Sequence, residues 1–204
     1  MGMETPAQTL GSSGRMLLGA VAQIQPGYFF RGRIRSTTDG THYLLQAKDV
    51  SPQSGIRPDS LIRFVPERNA ELYAVSRGDI LMAARGERHW VYLVREELKN
   101  VLASSVFYVL RPRPELIRPG YLAWWLGLPG TRAALGVMSQ GTGIRYIDRS
   151  ALDSLLVKVP AMSVQERIEK IDQLRRQEAA LRSSIEDRRE ELIQAACLRA
   201  LDRN

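Results

Sequence analysis

The chain has 204 residues, 44% of them hydrophobic, which suits one ordinary core with an appendage and argues against a disordered chain. Its net charge of +7 is uneven: residues 1–163 hold 20 Lys+Arg against 13 Asp+Glu, while residues 164–204 hold 9 against 9. The basic excess favours an acidic partner for the first part and a protein partner for the second, and a lone Cys197 excludes an internal disulfide or thiolate cluster.

No signal peptide or membrane-length apolar run occurs, so the expectation is a soluble cytoplasmic protein with no membrane partner. Of the 29 basic residues 25 are Arg, the side chain suited to bidentate contact with phosphate and guanine edges, although a GC-rich coding sequence produces the same bias.

In chain order, residues 1–14, with Gly11-Ser12-Ser13-Gly14, read as a flexible leader. A short apolar piece from Leu17 to Ile24 leads to Gly27-Tyr28-Phe29-Phe30-Arg31-Gly32-Arg33-Ile34-Arg35, where Arg31, Arg33 and Arg35 alternate and share one face of an extended segment. That face is either a basic strip aimed at phosphates or an ordinary solvated strand face. Strand signals follow at His42 to Gln46, Leu61 to Val65, Asp79 to Ala84, His89 to Val94 and Val101 to Leu110, separated by Gly, Pro and charge clusters, and they predict a compact, mostly antiparallel sheet. The junction Arg85-Gly86-Glu87-Arg88-His89 is a polar, basic tip that either reaches into a groove or serves as a soluble turn.

Pro119 to Gly136 reads as helical, split at Pro129-Gly130, with Trp124-Trp125 more consistent with core than with stacking on a base. Gln140-Gly141-Thr142-Gly143-Ile144-Arg145-Tyr146 is a tight loop rich in hydrogen-bonding side chains, and Leu152 to Val159 predicts a turn and a buried strand. From Ser163 onward one long helix is expected, with Ser163 and Glu166 as a capping box and a length of about 60 Å. The reading is thus α+β: a leader (1–14), a compact domain (15–162) with short helices, and a long coiled-coil helix (163–204).

Heptad positions a at 171, 178, 185 and 192 and d at 174, 181, 188 and 195 form its apolar seam, interrupted by Glu178 and Arg188. In a parallel pair each of these charges faces its own twin. In an antiparallel pair centred on Ser183, Glu178 faces Arg188, Ile171 faces Ala195, Leu174 faces Leu192 and Leu181 faces Ile185. The dimerisation residues expected are therefore Ile171, Leu174, Glu178, Leu181, Ile185, Arg188 and Leu192, against a second copy or a helix of like pattern. The competing account puts both charges at the edge of a narrow apolar stripe.

Catalytic signatures are missing. There is no Walker loop and no Gly-x-Gly-x-x-Gly, and His42 and His89 lack metal-ligand spacing to each other or to Cys197. Pro58-Asp59 with Glu67 lacks the Lys a nuclease carboxylate set needs, so no catalytic residue, metal or cofactor is assigned to the chain.

The order of its motifs resembles the specificity subunits of type I restriction-modification systems over residues 17 to 200. Arg77-Gly78-Asp79-Ile80-Leu81 is similar to that family's Gly-Asp-Ile-Leu strand start, Pro119, Tyr121 and Leu122 to its Pro-x-Tyr-Leu helix, and Gly141-Thr142 precedes a short apolar strand as it does there. Leu156-Val157-Lys158-Val159-Pro160 with Gln165 and Ile168 resembles its Ile-Pro-Pro-Leu-x-Glu-Gln-x-x-Ile lead into a spacer helix, with Ala161 in place of the second Pro and Val164 in place of Glu. Gly27-Tyr28 and Gln46-Ala47-Lys48-Asp49 fit the same group.

The resemblance implies a noncatalytic target-recognition domain and spacer helix, in the form of a half subunit that pairs through antiparallel helices. It implies a bipartite, palindromic site on double-stranded DNA and a role in phage defence. Methyltransferase subunits would carry S-adenosylmethionine, and an ATP-dependent nuclease or translocase subunit would use ATP and Mg. Expected phosphate contacts are Arg31, Arg33, Arg35 and Arg145; expected base readers are Gln46, Lys48, Arg85, Arg88, His89, Gln140, Thr142 and Tyr146. Two other classes stay open: a coiled-coil adaptor whose basic domain binds a protein or RNA, and an enzyme whose site carries no known signature.

Overall fold

A computed structural model describes residues 14–30, 36–51, 55–67, 70–86, 89–140 and 145–201. The leader residues 1–13 and the expected contacts Arg31, Arg33, Arg35, Arg88 and Thr142 lie outside the described residues. The chain divides into two compact units, Met1–Glu166 and Arg167–Asn204.

The first unit is α+β. It opens with β1 (Gly14–Leu17), a single helical turn α1 (Leu18–Val21) and β2 (Ala22–Pro26), so Gly14 already belongs to a strand. The middle of the unit runs β3 (His42–Leu45), β4 (Val50–Ser51), β5 (Gly55–Ile56), β6 (Ile62–Phe64), β7 (Ile80–Ala83), β8 (Val91–Leu93), β9 (Val101–Ala103) and β10 (Phe107–Pro112). It closes with α2 (Pro119–Gly127), α3 (Pro129–Met138), α4 (Arg149–Asp153) and β11 (Leu156–Val159).

The single sheet expected from the sequence is instead divided among the described strands into four: β1-β11, β2-β10-β7-β8, β6-β3-β9 and β4-β5. All strand pairs are antiparallel except β3 with β9. The run from Val101 to Leu110 breaks into two strands because Phe107 N–H turns back to the Ser104 carbonyl at 3.0 Å, letting β9 and β10 join different sheets. β11 is also less buried than expected: Val157 is inside, but Leu156 and Lys158 are exposed.

Strand alternation explains how the central sheet is covered on both faces. On β3 and β9, Leu45, Val101 and Ala103 enter a core with Leu81, Tyr92, Phe107 and Val109. Their neighbours Leu44 and Leu102 point the other way, into a second cluster with Tyr28, Phe64 and Ala70. That cluster is aromatic, with Tyr28 edge-on to Phe30 at 5.0 Å and to Tyr73 at 5.2 Å between ring centroids. Gly27 admits this packing: a Cβ there would lie 2.2 Å from the Ser104 carbonyl oxygen, while its N–H bonds Phe107 and the next one, on Tyr28, bonds Ala103.

Pro119 and Pro129 occupy the first turns of α2 and α3, as the split at Pro129-Gly130 predicts. Trp124 is half-buried and tilted against Tyr121, 5.6 Å away. Burial raises the pKa of the Tyr121 hydroxyl, which donates to the Lys158 carbonyl at 2.6 Å and so ties α2 to β11.

The long helix α5 spans Met162–Leu201. It starts one residue before the expected capping box: Val164 and Gln165 N–H groups both donate to the Ala161 carbonyl, leaving Ser163 inside the first turn and Glu166 just past it. The anchor is Gln165 instead, which is 1% exposed. Its Oε1 accepts from the Arg118 N–H at 2.9 Å, and its Nε2 donates to the Leu116 and Pro160 carbonyls at 3.2 and 2.8 Å. A buried amide with both its oxygen and its nitrogen engaged fixes the start of α5 to the N-terminus of α2.

In the second unit, the apolar stripe of α5 is exposed. Ile171, Leu174, Leu181, Ile185 and Leu192 are all at least half exposed, up to 71% for Leu192. Asp172 sits between Arg175 and Arg176 at 3.0 and 2.9 Å, and Glu178 pairs with Arg182 at 2.9 Å. These i,i+3 and i,i+4 pairs support the isolated helix by only about 0.2–0.5 kcal/mol each.

Candidate nucleic-acid interface

Two segments distant in sequence form one loop cluster on the first unit. The β7–β8 hairpin carries Ala84, Arg85 and Gly86, and the segment after α3 carries Ser139, Gln140, Arg145 and Tyr146. Backbone bonds join them: Gly86 N–H donates to the Arg145 carbonyl at 2.8 Å and Ile147 N–H to the Ala84 carbonyl at 3.1 Å. Gln140 and Tyr146 exchange a pair of N–H to carbonyl bonds at 2.8 and 3.0 Å, closing the second segment on itself.

Gly86 adopts φ 100°, a left-handed conformation that a β-substituted residue enters only with strain, and this lets the hairpin turn without losing its bond to Arg145. Tyr108 supports the cluster by donating its hydroxyl to the Ile147 carbonyl at 2.9 Å. Burial, reinforced by Asp148, raises its pKa, so the donor stays protonated.

Four of the residues expected to touch DNA are thereby brought together and exposed: Arg85, Gln140, Arg145 and Tyr146, the last 41% accessible. Neither Arg85 nor Arg145 makes an ion pair among the described residues, so both guanidiniums are open to an anionic ligand. The set supplies two cations, an amide with donor and acceptor, and an aromatic ring, the side-chain chemistry used on phosphates and base edges.

Other expected readers fall elsewhere. His89, read as part of the loop tip, is 4% exposed: its Nδ1 lies 3.1 Å from the Ala83 carbonyl and its Nε2 3.3 Å from Ser139 Oγ. It cannot reach a base from there, and its expected role as a reader is corrected. Its orientation is set by the Ala83 carbonyl on β7 and the Ser139 hydroxyl after α3, which local spacing does not reveal.

Gln46 and Lys48 sit at the turn after β3, and among the described residues no hydrogen bond joins them to the loop cluster. The Gln46 N–H donates to the buried carboxylate of Asp49 at 2.9 Å, Lys48 is exposed, and the Lys48 carbonyl accepts from Arg57. Ser139, at the junction of both segments, was missed; only its place beside Gln140 could have drawn notice.

On the helix, the expected pairing residues occupy an unbroken α-helical segment and expose their side chains, so the apolar positions remain open to a partner. Among the described residues no cluster of three or more His, Cys, Asp or Glu could hold a metal ion, and no helix is long and apolar enough to cross a membrane.

The compact α+β unit, its paired presentation loops and the long uninterrupted helix define a fold of recognised type. Solved structures share it: the S subunit of a type I restriction-modification system from M. genitalium, 13% identical with TM-score 0.56, aligns with 83% of this chain and 40% of its own. The HsdS subunit from Thermoanaerobacter tengcongensis, 18% identical with TM-score 0.58, aligns with 90% and 41%. A third neighbour, from work on complex assembly and conformational transition of the type I R-M system, is 20% identical with TM-score 0.60 and aligns with 88% and 41%.

This chain therefore has the fold of type I S subunits and spans about two fifths of the length of those it matches. No family model and no curated protein matches it.

Proposed function

We propose that the chain is a noncatalytic DNA sequence-recognition subunit of a type I restriction-modification or methyltransferase complex. The observation that carries this reading is the joining of Arg85, Gln140, Arg145 and Tyr146 on two mutually bonded loops. The shared fold supports it by analogy. The arginines contact phosphates and set affinity, while Gln140 and Tyr146 contact base edges.

The exposed helix pairs with a second copy, or with a like helix, in the antiparallel register that sets Glu178 against Arg188. Two identical recognition units related by a two-fold axis read a bipartite, palindromic site. Methyltransferase subunits supply S-adenosylmethionine chemistry, an ATP-dependent nuclease or translocase joins the full system, and assembly is cytoplasmic.

The test is selection of duplex DNA from a randomised library by the complex assembled with methyltransferase subunits, followed by titration at several salt concentrations. A split palindromic consensus and a steep salt dependence are expected. Binding without sequence preference, or to a protein or RNA in place of duplex DNA, favours the adaptor reading.

A further inference from the structure

The recognition loops rest on a buried polar group that the proposed function leaves unused. The Ala83 carbonyl can only accept, so its 3.1 Å contact with His89 assigns the proton to Nδ1. On its other side the ring turns Nε2 toward the Ser139 hydroxyl, 3.3 Å away. The same hydroxyl lies 3.4 Å from the Tyr146 carbonyl. One hydroxyl thus stands between the imidazole and the Tyr146 carbonyl, at separations longer than an ideal hydrogen bond.

This linkage spans both halves of the cluster. His89 belongs to the hairpin whose Gly86 and Ala84 bond Arg145 and Ile147; Ser139 opens the segment in which Gln140 and Tyr146 close on each other. The backbone bonds hold the two segments together, and among the described residues the side-chain link between the hairpin and Ser139 is the imidazole, a group 4% exposed. A contact with one buried ring thus falls at the residue directly before Gln140, whose backbone pairs with Tyr146.

We propose that His89 is a positioning residue for base readout, acting through Ser139 on Gln140 and Tyr146 without touching DNA. This rests on the recognition reading above. Its signature is a split between two readouts: loss of the link degrades discrimination among sequences, whereas the arginine contacts to phosphate, and with them the salt dependence, persist.

The experiment compares wild type, His89→Asn, Ser139→Ala and Ser139→Thr in the assembled complex. Affinity is measured for the duplex selected by wild type and for a scrambled duplex of equal composition, across a salt series. Asn restores a donor to the Ala83 carbonyl but has no Nε2, and Ser139→Ala removes a single partly exposed hydroxyl, which leaves the fold intact even if His89→Asn disturbs it.

His89→Asn and Ser139→Ala should each narrow the ratio of selected to scrambled affinity about tenfold with an unchanged salt slope, and Ser139→Thr should keep the wild-type ratio. Undiminished discrimination in Ser139→Ala overturns the positioning role alone. A wild-type complex that selects no sequence overturns the recognition reading beneath it.

Discussion

The first unit hides most of its large apolar side chains, whereas the helix of the second leaves its own largely in water. Phe64, Phe107, Leu44 and Leu102 are almost wholly inaccessible; Leu181, Ile185, Leu192 and Leu198 are each more than half exposed. The first unit is specified by its own contacts, with two cores on opposite faces of one small sheet. The helix keeps its secondary structure through propensity and side-chain ion pairs, and its apolar stripe gains energy only when a partner covers it. Substitutions should therefore divide into those that unfold the chain and those that merely separate it from another.

The largest effect is expected at Gly27. With a new Cβ 2.2 Å from a backbone oxygen, Gly27→Ala must push β2 away from the Ser104 turn, costing about 3 kcal/mol in urea unfolding of the first unit. Gln165→Ala comes next: it strips partners from the Arg118 N–H and from the Leu116 and Pro160 carbonyls, for about 2 kcal/mol. If thermal unfolding of the Gln165 variant matches wild type, the start of α5 is held by something other than this amide.

Substitutions on the helix should behave in the opposite way. Glu178→Arg should leave unfolding of the first unit unchanged yet weaken self-association about tenfold in sedimentation equilibrium, and adding Arg188→Glu should restore it. Restoration is the decisive result, because a stripe with both charges at its rim would show neither effect.

Smaller still is the effect at the loops. Arg85→Ala or Arg145→Ala should each reduce the slope of log affinity against log salt by about one, with little change in melting temperature.

The smallest is a pH effect inside the first unit. Desolvation raises the pKa of Asp79, although the Ser76 N–H and Arg111 favour its charged form. A raised value means that the folded state holds this proton more tightly than the unfolded chain does. The stability it contributes is thus fully present below the ordinary carboxylate range and declines as pH rises through the folded-state value. Asp79→Asn should flatten that decline in urea titrations across the acidic range.

Much of this division was legible in the residues themselves. The break between α2 and α3 was written in Pro129-Gly130, and the strands around Leu44, Arg63 and Leu81 in local apolar patterns. The exposed stripe of α5 followed from heptad spacing alone. What stayed hidden depends on partners far away in the chain. The parallel match of β3 with β9 joins residues nearly sixty apart, and no local pattern specifies it.

The capping-box pattern at Ser163 was overridden because Gln165 meets the loop before α2, 47 residues earlier. His89 misled for the same reason. Polar neighbours made it look like a loop tip, while the Ser139 hydroxyl that helps to hold it inside lies 50 positions later.

One pairing described above has a consequence of its own. β1 and β11 run antiparallel, with Gly14 opposite Val159 and Leu17 opposite Leu156, so the first and last strands described in the unit lie side by side. Neighbouring strands are about 4.8 Å apart, a gap that a short linker can bridge. Circular permutation should therefore be tolerated: with the chain joined across those two strands and reopened at the exposed turn around Pro114, the described strands keep their sheets and both cores. Such a module can be grafted into a host loop as a cassette without stretching either side of the insertion.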